Sequence, residues 1–316
     1  MRIVFMGTPD FAVPSLEALL KSDDQVVGVV TQPDRPKGRG QEVVCSPVKV
    51  VCLREGIPVL QPLKMKDPAF LDALRAWQPD VIAVTAFGRI LPPAILTMPP
   101  RGCINVHGSL LPKYRGAGPV QWAIIRGERE TGITTMFMAE GMDTGDMLLR
   151  ETVDILPDDT AGTLAPRLAA VGGRLLVETL RRLKAGTLTP ERQDDAQATM
   201  APLLKKEDGL IDWTLTARDI ANRVRGLSPW PGAFISVNGE RWTLWRVAVD
   251  DAPHGATPGM VTQVTKDRMD VATGSGSIRI LEIQPSNSRR MTMAQYLAGH
   301  RVTEGISLQA VPPPQL

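Results

Sequence analysis

The sequence predicts an α/β fold: a doubly wound, mostly parallel sheet, followed by a small β-barrel. Three observations carry this. Over the first 185 or so residues, short apolar runs alternate with amphipathic stretches, the pattern of strand–helix–strand units. From residue 209 onward, short strand-like runs are separated by Gly and Asn turns. Between them, residues 190–208 lack periodicity and are rich in Pro, Gln, Asp and Thr, which reads as a linker. The expected organisation is therefore a first domain over 1–189, a linker over 190–208 and a barrel domain over 209–316.

The elements follow in order. Residues 2–7 form an apolar run without alternation, as in a strand buried on both faces. Asp10 is expected to cap the helix that runs to Lys21. A second strand covers 26–31, and a loop over 32–46 holds Arg35, Lys37 and Arg39 among Pro and Gly. A helix over 47–56, a short strand at Pro58-Val59, a helix over 67–77 and an apolar strand over 80–87 come next. The run 102–108 is a strand, because Gly stands at both ends and it is too short for a helix. A helix over 120–126, a strand over 132–138, a loop with two glycines and two carboxylates, a hairpin partner over 147–155 and a long helix over 160–184 complete the first domain. The second has a helix over 217–227, strands near 233–238, 241–249, 259–265, 268–273 and 277–284, and a terminal helix from Thr292. Five strands suit a barrel of the oligonucleotide-binding type.

The chain has 316 residues, 43% of them hydrophobic and 22% charged, with a formal net charge of +2. That composition describes a water-soluble globular chain and neither demands nor excludes a nucleic-acid partner. No run approaches the roughly 18 apolar residues of a membrane span, and no charged-then-apolar leader precedes the first strand. Cys45, Cys52 and Cys103 are odd in number and lack metal-ligand spacing, so no metal and a cytoplasmic location are expected. A monomer is expected, since no heptad stripe stands out. The turn Gly7-Thr8-Pro9-Asp10 lacks the second and third glycines of a dinucleotide fingerprint, which disfavours a nicotinamide-dependent dehydrogenase.

Chemistry concentrates in Gly102–Pro119. Alternate residues of a strand share a face, so Ile104 and Val106 point one way, Asn105 and His107 the other. An amide and an imidazole buried together at a strand end need partners. The C-terminal ends of parallel strands are where such sheets open their ligand crevices. Asn105 and His107 supply two arms of an oxyanion hole, and Asp143, in the 139–146 loop, is the carboxylate to fix the imidazole tautomer and accept a proton. Ser109 stands in no nucleophile elbow. Without phosphate loop or covalent nucleophile, direct acyl transfer between two bound substrates is the natural reaction class. Basic side chains cluster at Arg35/Lys37/Arg39, Lys205/Lys206, Arg218/Arg223/Arg225 and Arg289/Arg290. Arg218 and Arg225 stand two helical turns apart on one face. Such clusters suit phosphate contacts.

These residues carry a resemblance. Asn105 through Gly116 (NVHGSLLPKYRG), with Gly132-Ile133-Thr134 and Asp143-Thr144-Gly145-Asp146, resemble the formyltransferases that use 10-formyltetrahydrofolate. The likeness extends through 7–12, 32–40, 206–213 and 229–232, nearly the whole chain. It departs at Gly118, where Ala is more usual, and at 201–204. The resemblance implies that Asn105 and His107 hold the formyl oxygen while an amine attacks, and that Asp143 orients His107 and manages the amine's proton. It implies a folate pocket at Phe87, Gly88, Ile90, Leu91, Ser109, Leu110, Leu111, Pro112 and Gly141. Phe87 reads equally as a pocket wall or as a core residue at a strand end. The implied acceptor is initiator methionyl-tRNA, contacted through Arg35, Lys37, Arg39, Lys205, Lys206, Arg218 and Arg225, with the Arg39 loop ordering on the tRNA. An amino sugar nucleotide is the alternative acceptor. Glycinamide ribonucleotide enzymes resemble the first domain only, and a non-catalytic RNA-binding protein would have no use for Asn105, His107 and Asp143 together.

Overall fold

The computed structural model describes residues 1–37, 42–237 and 239–308. It divides into two compact units: Met1–Pro119, Glu130–Asp154 and Ala165–Pro202 form the first; Val120–Arg129, Ile155–Leu164 and Leu203–Leu316 form the second.

In the first unit the strands are β1 (Arg2–Gly7), β2 (Gln25–Val30), the β3 (Arg35–Lys37) and β4 (Glu42–Val44) ribbon, β5 (Val59–Leu60), β6 (Val81–Thr85), β7 (Cys103–His107), β8 (Glu130–Phe137) and β9 (Met147–Asp154). The main sheet has the order β5-β2-β1-β6-β7-β8-β9. It is parallel from β5 to β7 and antiparallel at β8 and β9. Helices α1 (Val13–Leu20), α2 (Pro47–Glu55), α3 (Pro68–Ala76), α4 (Pro93–Leu96) and most of α6 (Ala161–Ala185) belong to this unit, while α5 (Pro119–Ile125) belongs to the second from Val120 on. The strand order reverses on either side of β1, which places a topological switch point at the carboxyl ends of β1 and β6. The loops leaving those ends are tied together. Thr8 Oγ1 donates to the Phe87 carbonyl at 3.3 Å, Gln32 Nε2 donates to the same oxygen at 2.9 Å, and the Gln32 N–H reaches Thr8 Oγ1 at 3.4 Å.

Three expectations for this unit change. The stretch 32–46, expected to be a loop, carries the antiparallel β3–β4 ribbon. Asp10 is not a cap: a single 3-10 turn, Asp10–Ala12, precedes α1, whose N-cap Ala12 offers no side-chain acceptor. Pro14, which has no N–H to satisfy, is tolerated in that first turn. The stretch from 190 was expected to be linker, yet through Pro202 it packs as part of the first unit. Glu191 bridges to Met147 and Met200 to Arg115, with Gln193 and Ala201 buried. Aperiodic sequence is no bar to order when backbone groups find ladder partners this way.

The second unit holds α7 (Ala217–Gly226), β10 (Ala233–Val237), β11 (Glu240–Asp250), β12 (Val261–Val264), β13 (Met269–Ala272), β14 (Ser277–Pro285), β15 (Met291–Thr292) and α8 (Met293–Leu297). The order is β10-β11-β14-β13-β12, antiparallel throughout, with β15 on β14. Thr216 caps α7 by accepting the Asp219 N–H at 3.1 Å. One cluster gathers inward residues of five strands, among them Ile235, Trp242, Val261, Val271 and Ile280, around Ile220 and Val224 of α7. That is barrel-like packing. No helix among the described residues is long and apolar enough to cross a membrane.

Two of the three thiols lie in the first unit's core. Burial pushes Cys103 up to about 12 and Cys52 up to about 11, so neither forms an appreciable thiolate at neutral pH. At pH 8, iodoacetamide is expected to label half-buried Cys45 in the native protein, and Cys52 and Cys103 only after denaturation. Peptide mapping that finds native Cys103 labelled as fast as Cys45 would contradict this burial.

Candidate functional site

Strand β7 places the site. Its Ile104 and Val106 face α6, where Gly172 admits the strand: a Cβ there would lie 2.9 Å from Val106 Cγ1. Asn105 and His107 take the opposite face, paired across to Met136 and Thr134 of β8.

Past His107 the chain turns and is locked by its own polar groups. Ser109 Oγ donates to the Lys113 carbonyl at 2.6 Å, Thr134 Oγ1 donates to the Ser109 carbonyl at 2.7 Å, and the Leu111 N–H donates to Thr134 Oγ1 at 3.1 Å. Segment 199–201 holds the next residues: the Tyr114 N–H reaches Thr199 Oγ1 at 2.9 Å and the Arg115 N–H reaches the Thr199 carbonyl at 2.8 Å. The turn carries the Tyr114 carbonyl back over the imidazole.

His107 is 5% exposed, with Nε2 2.9 Å from the Tyr114 carbonyl. A carbonyl only accepts, so Nε2 carries the proton and Nδ1 is left as the working nitrogen. Nδ1 stands 3.6 Å from Asp143 Oδ2, close enough for the two groups to act on one proton. Oδ2 also accepts the Gly116 N–H at 2.9 Å. Asp143 has φ +52°, a left-handed backbone that Asp adopts more readily than most L-residues. Gly145 follows closely because a Cβ there would meet the Phe137 carbonyl at 1.8 Å. The Asn105 side chain is half-buried, and among the described residues no group holds its amide. An unengaged amide, an imidazole with a fixed tautomer and a carboxylate thus share one face at a strand end. This arrangement can polarise a carbonyl, bind the oxyanion and move a proton.

The other residues expected at the site divide by burial. Phe87 and Leu91 belong to the core cluster with Val84 and Ile95. Leu111 packs with Met136 and Met147, and the buried Ser109 spends its hydroxyl on the turn. Leu110 and Pro112 are half-buried, while Gly88, Gly141 and Ile90 are exposed, Ile90 by 79%. The face open to a ligand is thus the exposed loop residues and backbone, with Phe87, Leu91 and Leu111 supporting it from behind.

The basic residues also differ among themselves. Lys205 and Lys206 are exposed, and among the described residues no acidic group pairs with either ammonium. Arg218 is exposed and pairs with Asp251, also exposed, at 2.6 Å. Arg225 turns inward: Nη1 donates to the Asp159 carbonyl at 3.0 Å, Nη2 donates to Asn222 Oδ1 at 2.7 Å, and burial lowers its pKa. The shared face expected for Arg218 and Arg225 therefore offers only Arg218 to a partner. Arg290 stacks over Trp245 and pairs with Glu282. Arg35 and Lys37 lie on β3; Arg39 falls outside the described residues.

Sequence reasoning missed the Tyr114 carbonyl, the Gly116 N–H and Gln193. The first two are backbone groups, invisible to side-chain patterning. Gln193 stands in a stretch whose composition signals only coil.

Two family models match the chain: "Formyl transferase" over residues 1–180 and "Formyl transferase, C-terminal domain" over residues 203–301. A methionyl-tRNA formyltransferase of Desulfotalea psychrophila is 54% identical over 302 residues, covering 96% of this chain and 94% of that one. One of Acetivibrio thermocellus is 51% identical over 306 residues, covering 96% and 98%. In fold, the chain is similar to a solved N-formyltransferase from Helicobacter canadensis in complex with folinic acid and dTDP-3-aminofucose. There the TM-score is 0.66, the identity 19%, and the coverage 92% of this chain and 100% of that one.

Proposed function

The chain belongs to the formyl transferase family, and from that premise we propose that it passes the formyl group of 10-formyltetrahydrofolate directly to the free amine of initiator methionyl-tRNA. The observation that carries the chemistry is the His107–Asp143 pairing beside an Asn105 amide that no described residue engages. The acceptor follows from relatives above 50% identical across both units, whereas the sugar N-formyltransferase shares only the fold at 19%.

The neutral amine attacks the formyl carbon, and the carbonyl oxygen becomes an oxyanion held by the Asn105 amide. As the new C–N bond forms, the amine's proton passes to His107 Nδ1 or Asp143. An imidazolium so formed is stabilised on both sides, by the Tyr114 carbonyl at Nε2 and by Asp143 at Nδ1. Its Nδ1 proton is shared with the oxyanion. Collapse of the tetrahedral intermediate breaks the bond to the folate nitrogen, which leaves with a proton in exchange. The folate is read by the loops around Gly88, Ile90, Leu110, Pro112 and Gly141. The tRNA backbone is met by Lys205, Lys206 and Arg218, and by Arg35, Lys37 and Arg39 of the early loop. Arg225 is left out, since its guanidinium is partly buried and already donates to the Asp159 carbonyl and to Asn222 Oδ1.

His107→Asn and Asp143→Asn are each expected to lower kcat by about 10²–10⁴-fold, with tRNA affinity within about threefold of wild type. The assay is formyl transfer from 10-formyltetrahydrofolate to charged initiator tRNA, with an amino sugar nucleotide as the competing acceptor. Wild-type turnover in either variant, or transfer to the sugar instead, would refute the assignment. On the binding side, the Lys205→Ala/Lys206→Ala pair is expected to flatten the slope of log affinity for tRNA against log salt by about 1–2. Arg225→Lys should leave that slope unchanged; identical slopes for wild type and the double variant would remove the lysines from the footprint.

A further inference from the structure

Asp143 is useful to the chemistry only while its turn stays left-handed, and the groups that hold it come from two places. Its carboxylate is held by the Gly116 N–H. Its carbonyl, and that of Gly145, are held by one side chain, Gln193, whose Nε2 donates to Asp143 O at 2.8 Å and to Gly145 O at 2.7 Å. Gln193 is 6% exposed. Its own Oε1 accepts Arg115 Nε at 2.9 Å, and Arg115, also buried, extends Nη2 to Asp195 at 2.8 Å. The demand at this position is specific: two donors aimed at two carbonyls, and one acceptor aimed at a guanidinium. Only a primary amide meets all three at once. A carboxylate would satisfy Arg115 and turn an oxygen on both carbonyls. The pull of the guanidinium on Oε1 also polarises the amide toward stronger donation at Nε2.

We propose that Gln193 is a positioning residue for formyl transfer: through the Asp143 and Gly145 carbonyls it fixes the 143–145 turn so that the Asp143 carboxylate faces His107 Nδ1. The inference rests on the reading of Asp143 as the proton-handling group. Gln193 touches no reacting atom, and its effect is confined to the chemical step.

The test compares Gln193→Met in two backgrounds, by steady-state kinetics and by single-turnover rates where turnover is slow. In the wild-type background, kcat is expected to fall about 10–100-fold, with KM for folate donor and for tRNA within about threefold. In an Asp143→Asn background, the same change should lower the single-turnover rate by less than about twofold, because the group it positions is already disabled. Gln193→Glu keeps the Arg115 bond and should reproduce both results; it carries the test alone if Gln193→Met does not fold. Three results overturn the proposal: wild-type kcat in either folded Gln193 variant, a rise in KM with kcat intact, or an equal fold-loss in both backgrounds. If Asp143→Asn itself turned over normally, the reading of Asp143 would fall, and the proposal with it. A slow Asp143→Asn beside a fast Gln193→Met would sink the proposal alone.

Discussion

The first unit is organised around a single constraint: a buried imidazole that must keep one tautomer. The Tyr114 carbonyl engages Nε2, so protonation chemistry at His107 is forced onto Nδ1, the nitrogen facing Asp143. A free rotor in the same crevice would present either nitrogen and orient neither. Burial raises the stakes, since an imidazole in a low-dielectric surround pays for every unpaired polar edge. The turn over 109–116 exists to deliver that carbonyl. Its internal bonds through Ser109 and Thr134 stiffen it before any substrate arrives, which is where preorganised electrostatic catalysis gains its advantage.

The rest of the sheet explains why this constraint can be met here. Parallel strands β2, β1, β6 and β7 end on the same side of the sheet, and the loops after the first three are cross-linked through Gln32, Thr8 and Phe87. The polar groups around the switch point are thus largely paired with one another. Among the described residues the Thr85 hydroxyl and the Asn105 amide have no hydrogen-bond partner, and Asn105 lies beside an imidazole held on one edge. Polar groups left unpaired in an otherwise satisfied surround are paid for by what binds there.

How much of this was legible in the sequence depends on whether side chains or backbone carried the information. The period-two alternation of 103–107 announced that Asn105 and His107 share a face, and strand spacing in the second unit read nearly residue for residue. Asp143 could be chosen because its loop concentrates glycines and carboxylates. The Tyr114 carbonyl and Gly116 N–H could not, since every residue but proline has both groups and only the fold decides which are aimed inward. Segment 190–202 failed for a related reason. Its order comes from bridges to Met147 and Arg115 and from one buried glutamine, and none of those leaves a hydrophobic period. Asp10 failed on a local competition, which the 3-10 turn and Pro14 won.

The basic clusters show the same distinction for charge. Helical spacing put Arg218 and Arg225 on one stripe, and spacing alone treats the two guanidinium groups as equivalent. Yet a guanidinium is a fork of five donors, and acceptors beneath the helix compete for it. Asp159 and Asn222 make that claim on Arg225, while Arg218 meets only an exposed carboxylate. An exposed ion pair is worth about 0–1 kcal/mol, so a phosphate can displace Asp251 at small cost. Arg225, by contrast, would have to give up two hydrogen bonds and leave a partly buried position to reach a phosphate. Two arginines seven residues apart therefore differ in function through what lies beneath the helix. Counting positive charge along a sequence measures the supply of cations, and the hydrogen-bond demand of the interior decides how many of them remain for a ligand.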